Sequence, residues 1–330
     1  MKSKIQVYSG TRATGRLHLG NYLGAVKGYL ELQNKYSCVY SVVDLHAITT
    51  PYDKDALSAN TLNVILDYLS TGLDPEKSYI EVQSLVPQHI QLAYYLGTLY
   101  PVSRLEDLPT YKEKKTQYPK HVNMGLLYYP VLMAADILIY KANLVPVGVD
   151  QEPHLEVTRE VARNFNREYG ETFPEAHRFT TKGEYVPSLT GEGKMSKTRE
   201  GSYINLVDSL AEIKQKLAKV PTDNGGPSDF PKSGPVFNLI KLVELFQGKD
   251  LAEDLRKRYE TTGVKYQTIK EDLANAIYHE LEPIQERRRI LEKDTNRVKE
   301  ILYEHGKKLR LLAQDTIDEV KEKMGFMSYF

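Results

Sequence analysis

Two short runs in the chain carry residue types suited to holding phosphate. The first is SGTRATGRLHLGNYLG, residues 9 to 24. Gly10 and Gly15 allow turns that a Cβ would obstruct, and Gly20 falls at the start of a helix whose free N–H groups can receive an anion. His18 and Asn21 lie three apart and share one face of that first turn. The glycine spacing fits neither the dinucleotide fingerprint nor a Walker loop, so the residues alone leave two readings, a nucleotide site and a structural glycine turn. The second run is TGEGKMSKTRE, residues 190 to 200. It sets Lys194, Ser196, Lys197 and Thr198 beside Gly191 and Gly193, with no strand alternation and no helical stripe. It is a surface loop charged for phosphate, although a solvated linker has the same composition.

A third group is apolar except for one charge. In GLLYYPVLMAADILIY, residues 125 to 140, Met133 and Asp136 are three apart, so a thioether and a carboxylate face the same way. A carboxylate in such a helix needs a partner, either a ligand or a lysine or helix end within the fold. The following VPVGVDQ offers Gly148 for close backbone approach, then Asp150 and Gln151. His46 comes two residues after Asp44 at the end of an apolar strand, while His154 on a polar helix start reads equally well as a surface residue. The pattern of Asp44, His46, Asp150 and His154 predicts no coordination geometry, so no metal site is assigned.

These groups need a frame. IQVYSG, CVYSVV before Asp44 and SYIEVQSL read as strands, and GNYLGAVKGYLELQNKY, residues 54 to 71 and HIQLAYYLGTLY read as helices. That βαβαβα order predicts an open Rossmann-like parallel sheet with helices on both faces and ligands beyond the carboxyl ends of the strands. From about residue 205 the texture is helical to Met324, broken by the loop at 221 to 235, so an all-helical part follows. The expected division is 1–200, an α/β activation domain ending in the KMSKT loop, and 201–330, a helical domain whose last helix packs back on the first.

Composition narrows the class. The 330 residues are 41% apolar and 27% charged with zero formal net charge, which argues against non-specific coating of nucleic acid and so against DNA as a partner. A structured RNA stays open, because its binding depends on local clusters such as RRR at 287 to 289 and KK at 307 to 308. No apolar run is long enough to span a membrane, and the start is too short in apolar residues for a signal peptide, so a cytoplasmic protein is expected. The one cysteine, Cys38, excludes an internal disulfide and reads as core.

HLGN and KMSKT, in this order on either side of a parallel α/β domain, resemble the two signatures of class I aminoacyl-tRNA synthetases. GLLYYPVLMAADILIY, VPVGVDQEPHLEVTREVARNFN and VVDLHAI narrow the resemblance to the bacterial tryptophanyl-tRNA synthetases. The resemblance implies activation of L-tryptophan with ATP, transfer to tRNA(Trp), a homodimer, and Mg2+ only as the companion of the ATP phosphates. By the same resemblance Lys194, Lys197, Ser196, His18 and Asn21 act in activation. ATP is held by Arg12, Ala13, Thr14, Gly20, Asn21, Gly148, Asp150, Gln151, Val186 and the loop Lys194, Met195, Ser196, Lys197 and Thr198. Tryptophan is held by Tyr8, His46, Tyr129, Met133, Asp136, Val147, Asp150 and Gln151, with Asp136 accepting the indole N–H, Met133 against the ring and Asp150 matching the ammonium. Many bacterial members have glutamine, proline and serine at Arg12, Ala13 and Thr14, and threonine at His18. The nearest rival is a tyrosyl-tRNA synthetase, whose phenol would need partners at its hydroxyl where this chain offers Asp136 and Met133.

Overall fold

The computed structural model describes residues 4–180, 185–197 and 199–327. Its sheet consists of Val7–Arg12 (β1), Cys38–Val43 (β2), Ser78–Val82 (β3), Leu144–Val145 (β4) and His177–Arg178 (β5). All neighbours are parallel, in the order β3-β2-β1-β4-β5. This is the Rossmann-like sheet expected. The strand order reverses between β1 and β4, which opens a crevice at their carboxyl ends.

β2 is buried at all six positions, as its almost continuously apolar run requires. It stops at Val43 because Asp44 turns the backbone: its carboxylate accepts the N–H groups of Leu45 at 3.1 Å and Ser84 at 2.9 Å, and Asp44–Ala47 is a short helix. Strand alternation sorts the side chains into two cores. Val7, Cys38, Tyr40 and Val42 join one cluster, while Tyr8 and Val39 join the other with Val131 and Ala135. Cys38 is fully buried in the first.

The helix after HLGN is continuous from Leu19 to Leu32 but widens to a π turn over Tyr22–Val26. Such widened turns concentrate at functional sites. INLV is not the start of a helix. Residues 203–206 instead run beside residues 17–19: Leu19 N–H donates to the Ile204 carbonyl at 2.9 Å, Leu206 N–H to Leu17 at 3.1 Å, and His18 bridges to Asn205. The next helix begins only at Leu210, where Ser209 and Glu212 form a reciprocal cap.

Leu210–Ala218, Pro235–Gln247, Lys249–Thr261, Tyr266–Lys293 and Thr295–Lys323 are all helical, as their periodicity predicts. Ile277, Leu281 and Ile284 belong to the same apolar cluster as Val7 and Val64, so the core runs from the sheet into these helices. The last helix returns to the β3 edge, where His305 Nδ1 accepts the Ile80 N–H at 2.9 Å and covers a strand edge otherwise open to pairing. The arginine run at 287 to 289 is largely structural rather than a face for phosphate. Arg287 donates to the Ser70 carbonyl at 2.6 Å, and Arg288 is buried on Asp67 and Asn63. Lys307 and Lys308 are exposed.

Candidate active site

A cavity of about 290 Å³ opens at the carboxyl end of β1, in the crevice between β1 and β4. Tyr8, Gly10 and Arg12 supply its wall from β1, and Val145, Val147 and Gln151 from the β4 side. The Met124–Leu138 helix presents Tyr129, Met133 and Asp136 across it, and His46 enters from the turn after β2. Gly10 is needed here because a Cβ would sit 2.8 Å from a Val43 methyl. Seven of the eight residues expected to hold the amino acid line the cavity, among them Tyr8, His46, Tyr129, Met133, Asp136 and Val147. Gln151 lines it as well, whereas Asp150 does not.

Asp136 is 1% exposed and already well partnered. His46 Nε2 lies 2.8 Å from Oδ2, and Gln83 Nε2 donates to both oxygens at 2.8 and 2.9 Å. His89 Nδ1 is 2.8 Å from Oδ1, a close ionic contact poorly aligned as a hydrogen bond. Burial works to raise the carboxyl pKa, but the hydrogen bond from His46, the close contact of His89 and the charge of both rings bring it down to about 2. The partners inside the fold are thus two histidines and a glutamine rather than a lysine or helix end. A carboxylate offers about four acceptor positions, and the His46 bond and the two Gln83 bonds take three, so one ligand donor can still be received.

His154 is a correction to the sequence reading. It is buried, not a surface residue, and its Nε2 sits 2.7 Å from the Tyr129 hydroxyl and 3.0 Å from Thr110 Oγ1. Burial, aided by repulsion from His46, holds its pKa at about 4, so it is neutral and able to orient Tyr129. Thr110, Thr49 and Lys114 also line the cavity and were missed, as were Gln83 and His89 behind it. Glu81 within the buried β3 and Gln83 just after it were the available signal, since buried polar side chains require partners.

The residues expected to hold phosphate stand beside this cavity. Gly20 packs between the two signature runs: a Cβ there would meet the His18 ring at 2.8 Å and Met195 Cβ at 3.1 Å. Met195 is buried and pairs its N–H with the Val186 carbonyl at 2.9 Å, which anchors the loop on a buried Val186. Gly191 and Gly193 have φ of 90° and 65°, and a side chain at Gly191 would strike the Pro235 ring. The Ser196 carbonyl accepts the Ser202 hydroxyl at 2.6 Å. Lys194 is exposed and reaches Asp150 Oδ1 at 3.3 Å. Asp150, itself exposed, therefore faces the lysine loop rather than a buried ammonium pocket, and Gly148 is small because a Cβ would lie 2.5 Å from the Asp150 carboxylate. Lys197 lies close to Gly15, whose φ is 103°. Burial lowers its pKa to about 8, opposed by the charge of Asp67.

The helix start is less open than the sequence suggested. Asn21 Oδ1 accepts the His18 N–H at 3.1 Å, and the Leu19 and Asn21 N–H groups are spent on the carbonyls of Ile204 and His18. His18 is buried; burial and then Lys197 and Lys194 depress its pKa to about 4, so its ring is a neutral donor or acceptor. Arg12 donates to Thr50 Oγ1 at 2.9 Å at the cavity mouth, Ala13 is buried and Thr14 exposed. Thr198 lies outside the described residues.

The profile of the tRNA synthetases class I (W and Y) matches residues 1–282. A tryptophan–tRNA ligase of Clostridium acetobutylicum is 40% identical over 99% of this chain and 98% of its own length. The chain belongs to the class I tryptophanyl-tRNA synthetases. A second relative of that description, from Deinococcus radiodurans, is 39% identical over 98% of this chain and 99% of its own. The structure of the Campylobacter jejuni tryptophanyl-tRNA synthetase complexed with ADP and tryptophan superposes with a TM-score of 0.85 at 32% identity, covering 98% of this chain and 100% of that one. A tyrosyl-tRNA synthetase from Aeropyrum pernix, at 18% identity and a TM-score of 0.67, shares the fold alone over 91% of this chain and 89% of that one.

Proposed function

We propose that the cavity binds L-tryptophan and that the adjoining groove, between HLGN and the KMSKT loop, binds ATP for its activation. The tryptophan carboxylate attacks the α-phosphorus in line, a new O–P bond forms and pyrophosphate leaves; a hydroxyl of the terminal ribose of tRNA(Trp) then takes the aminoacyl group and AMP leaves. This step asks little covalent chemistry of side chains and much positioning and charge compensation. Lys194 and Lys197 neutralise the β and γ oxygens, with Ser196 and Thr198 as hydrogen-bond donors. His18, neutral, donates from the opposite side, Gly20 lets the nucleotide approach, and Arg12 joins the phosphate side to the cavity. Tyr129, steered by His154, borders the amino acid, and Asp136 accepts the indole N–H.

The observation that carries this reading is the backbone pairing of residues 17–19 with residues 204–206, which sets the HLGN helix against Met195 of the lysine loop. Two runs far apart in sequence are thereby packed side by side. The described residues contain no group of three or more His, Cys, Asp or Glu placed as metal ligands, so no residues are assigned to Mg2+, which would arrive with the phosphates.

In the same reading residues 201–330 serve tRNA anticodon binding. The protein works as a homodimer; Ile90 and Tyr94, one turn apart on the Gln88–Gly97 helix and 53% and 70% exposed, are apolar surface available to a second copy. Among the described residues no helix is long and apolar enough to cross a membrane, and the proposed location is the cytoplasm. Amino-acid-dependent exchange of pyrophosphate into ATP, run across the amino acids, tests the core of the proposal. Tryptophan should be the one that supports exchange, and a preference for tyrosine would overturn it.

A further inference from the structure

Behind the cavity lies a chain of buried polar groups that reaches it only through Asp136. Glu81 in β3 and Asp136 are each 1% exposed, and His89, fully buried on the Gln88–Gly97 helix, stands between them. His89 Nε2 is 3.0 Å from Glu81 Oε1 and Nδ1 is 2.8 Å from Asp136 Oδ1. The Tyr140 hydroxyl donates to the same Glu81 oxygen. Two carboxylates at this depth cannot both stay ionised without a cation between them. The imidazole is the group that touches both, and only with both nitrogens protonated does it donate to Glu81 while setting a positive charge against Asp136. Burial opposes that charge, but Glu81 and Asp136 together hold the His89 pKa up at about 10.

Of the three, only Asp136 lines the cavity. Glu81 and His89 therefore act on a ligand through it. We propose that His89, held charged by Glu81 on its far side, is a positioning residue that keeps Asp136 ionised and fixed in rotation as the acceptor of the ligand's ring N–H. This rests on the tryptophan reading of the cavity. Preference for an N–H-bearing ring is then a property of the whole Glu81–His89–Asp136 chain. His46 and Gln83 hold the carboxylate from other directions, His46 at Oδ2 and Gln83 at both oxygens, and His89 adds the contact from behind, at Oδ1.

The test compares L-tryptophan with 3-(benzothiophen-3-yl)alanine, nearly the same shape with sulfur in place of N–H. Affinities for both are measured by calorimetry in wild type, His89→Leu and Glu81→Gln. Wild type should favour tryptophan by roughly tenfold or more, the scale of one hydrogen bond to a charged group. His89→Leu should bring the ratio of the two affinities close to one. Glu81→Gln, which keeps shape and hydrogen-bonding capacity should the leucine variant fail to fold, should narrow the ratio severalfold. A merely structural role would weaken both ligands alike and leave the ratio intact. A wild-type ratio near one overturns the indole-acceptor reading itself. A wild-type preference that survives in the folded variants overturns the role of His89 alone.

Discussion

The amino acid cavity and the lysine loop treat charge in opposite ways. In the cavity, Asp136 is surrounded by His46, Gln83 and His89, so its charge is stabilised before any ligand arrives. In the loop, Lys197 is held against its own burial with a pKa lowered to about 8, and Lys194 leans on an exposed aspartate at 3.3 Å, a pair worth little in water. A site built to discriminate among similar rings gains from a fixed acceptor, since an unmatched ligand then leaves a buried polar group unpaired. A site built to stabilise shifting phosphate charge gains from cations whose best partner is the reacting group.

The largest expected effect lies under the phosphate side. Asp67 accepts the Leu17 N–H at 2.7 Å next to HLGN and is buried on Arg288. Arg288→Met strands a buried carboxylate and should cost roughly 3–5 kcal/mol in urea unfolding. In the folded fraction, the KM for ATP should rise while tryptophan affinity holds; an equal loss of both would mean that the two regions share one support.

Next comes the loop itself. Lys197→Ala should slow pyrophosphate exchange roughly 100- to 1,000-fold, the usual cost of losing one transition-state charge partner, with tryptophan binding nearly unchanged. Isothermal titration of tryptophan alongside the exchange rate separates the two, and parallel losses would assign Lys197 to the amino acid pocket.

Asp136→Asn tests the opposite pole. It keeps shape and an acceptor oxygen while removing the charge, so the kcat/KM advantage of tryptophan over phenylalanine should shrink by about 1–3 kcal/mol, with little change in ATP affinity. An unchanged advantage accompanied by lower thermal stability would make Asp136 a packing partner only.

The smallest effect is in pH. Lys197 loses its proton in the free enzyme as pH rises through about 8, and a bound triphosphate favours the protonated form, so the KM for ATP should climb severalfold between pH 7 and 9. Tryptophan affinity should show no such step from Asp136, which is held near 2 and stays ionised across that range. A flat ATP profile in wild type, or one identical in Lys197→Arg, would remove Lys197 as its source.

The sheet and most helices were legible because their signals are local. The apolar run of β2, the amphipathic stripes after residue 210 and the glycines around HLGN each state their own conformation. The cavity residues on one helix, Tyr129, Met133 and Asp136, were legible for the same reason. What the sequence hid was pairing at a distance. Nothing near His154 says that Thr110 and Tyr129 will bury it, and nothing near Arg288 says that Asp67 waits for it. INLV has helical periodicity, yet a backbone ladder to Leu17 and Leu19 outweighs that preference. Asp150 looked like a pocket residue from its charge, but its neighbour was decided by where the lysine loop returns.

That ladder also dictates the order in which the molecule can be finished. During synthesis the HLGN run leaves the ribosome early, but its backbone partners at Ile204 and Leu206 do not yet exist, and Asp67 must wait still longer for Arg288. The cavity draws its lining from residues 8 to 154 and can begin to close on the nascent chain. The phosphate side, half of it among the first residues made, must therefore wait for residues beyond 204, and the core behind the cavity waits longer still, for Leu309, Ala313 and Ile317 of the last helix.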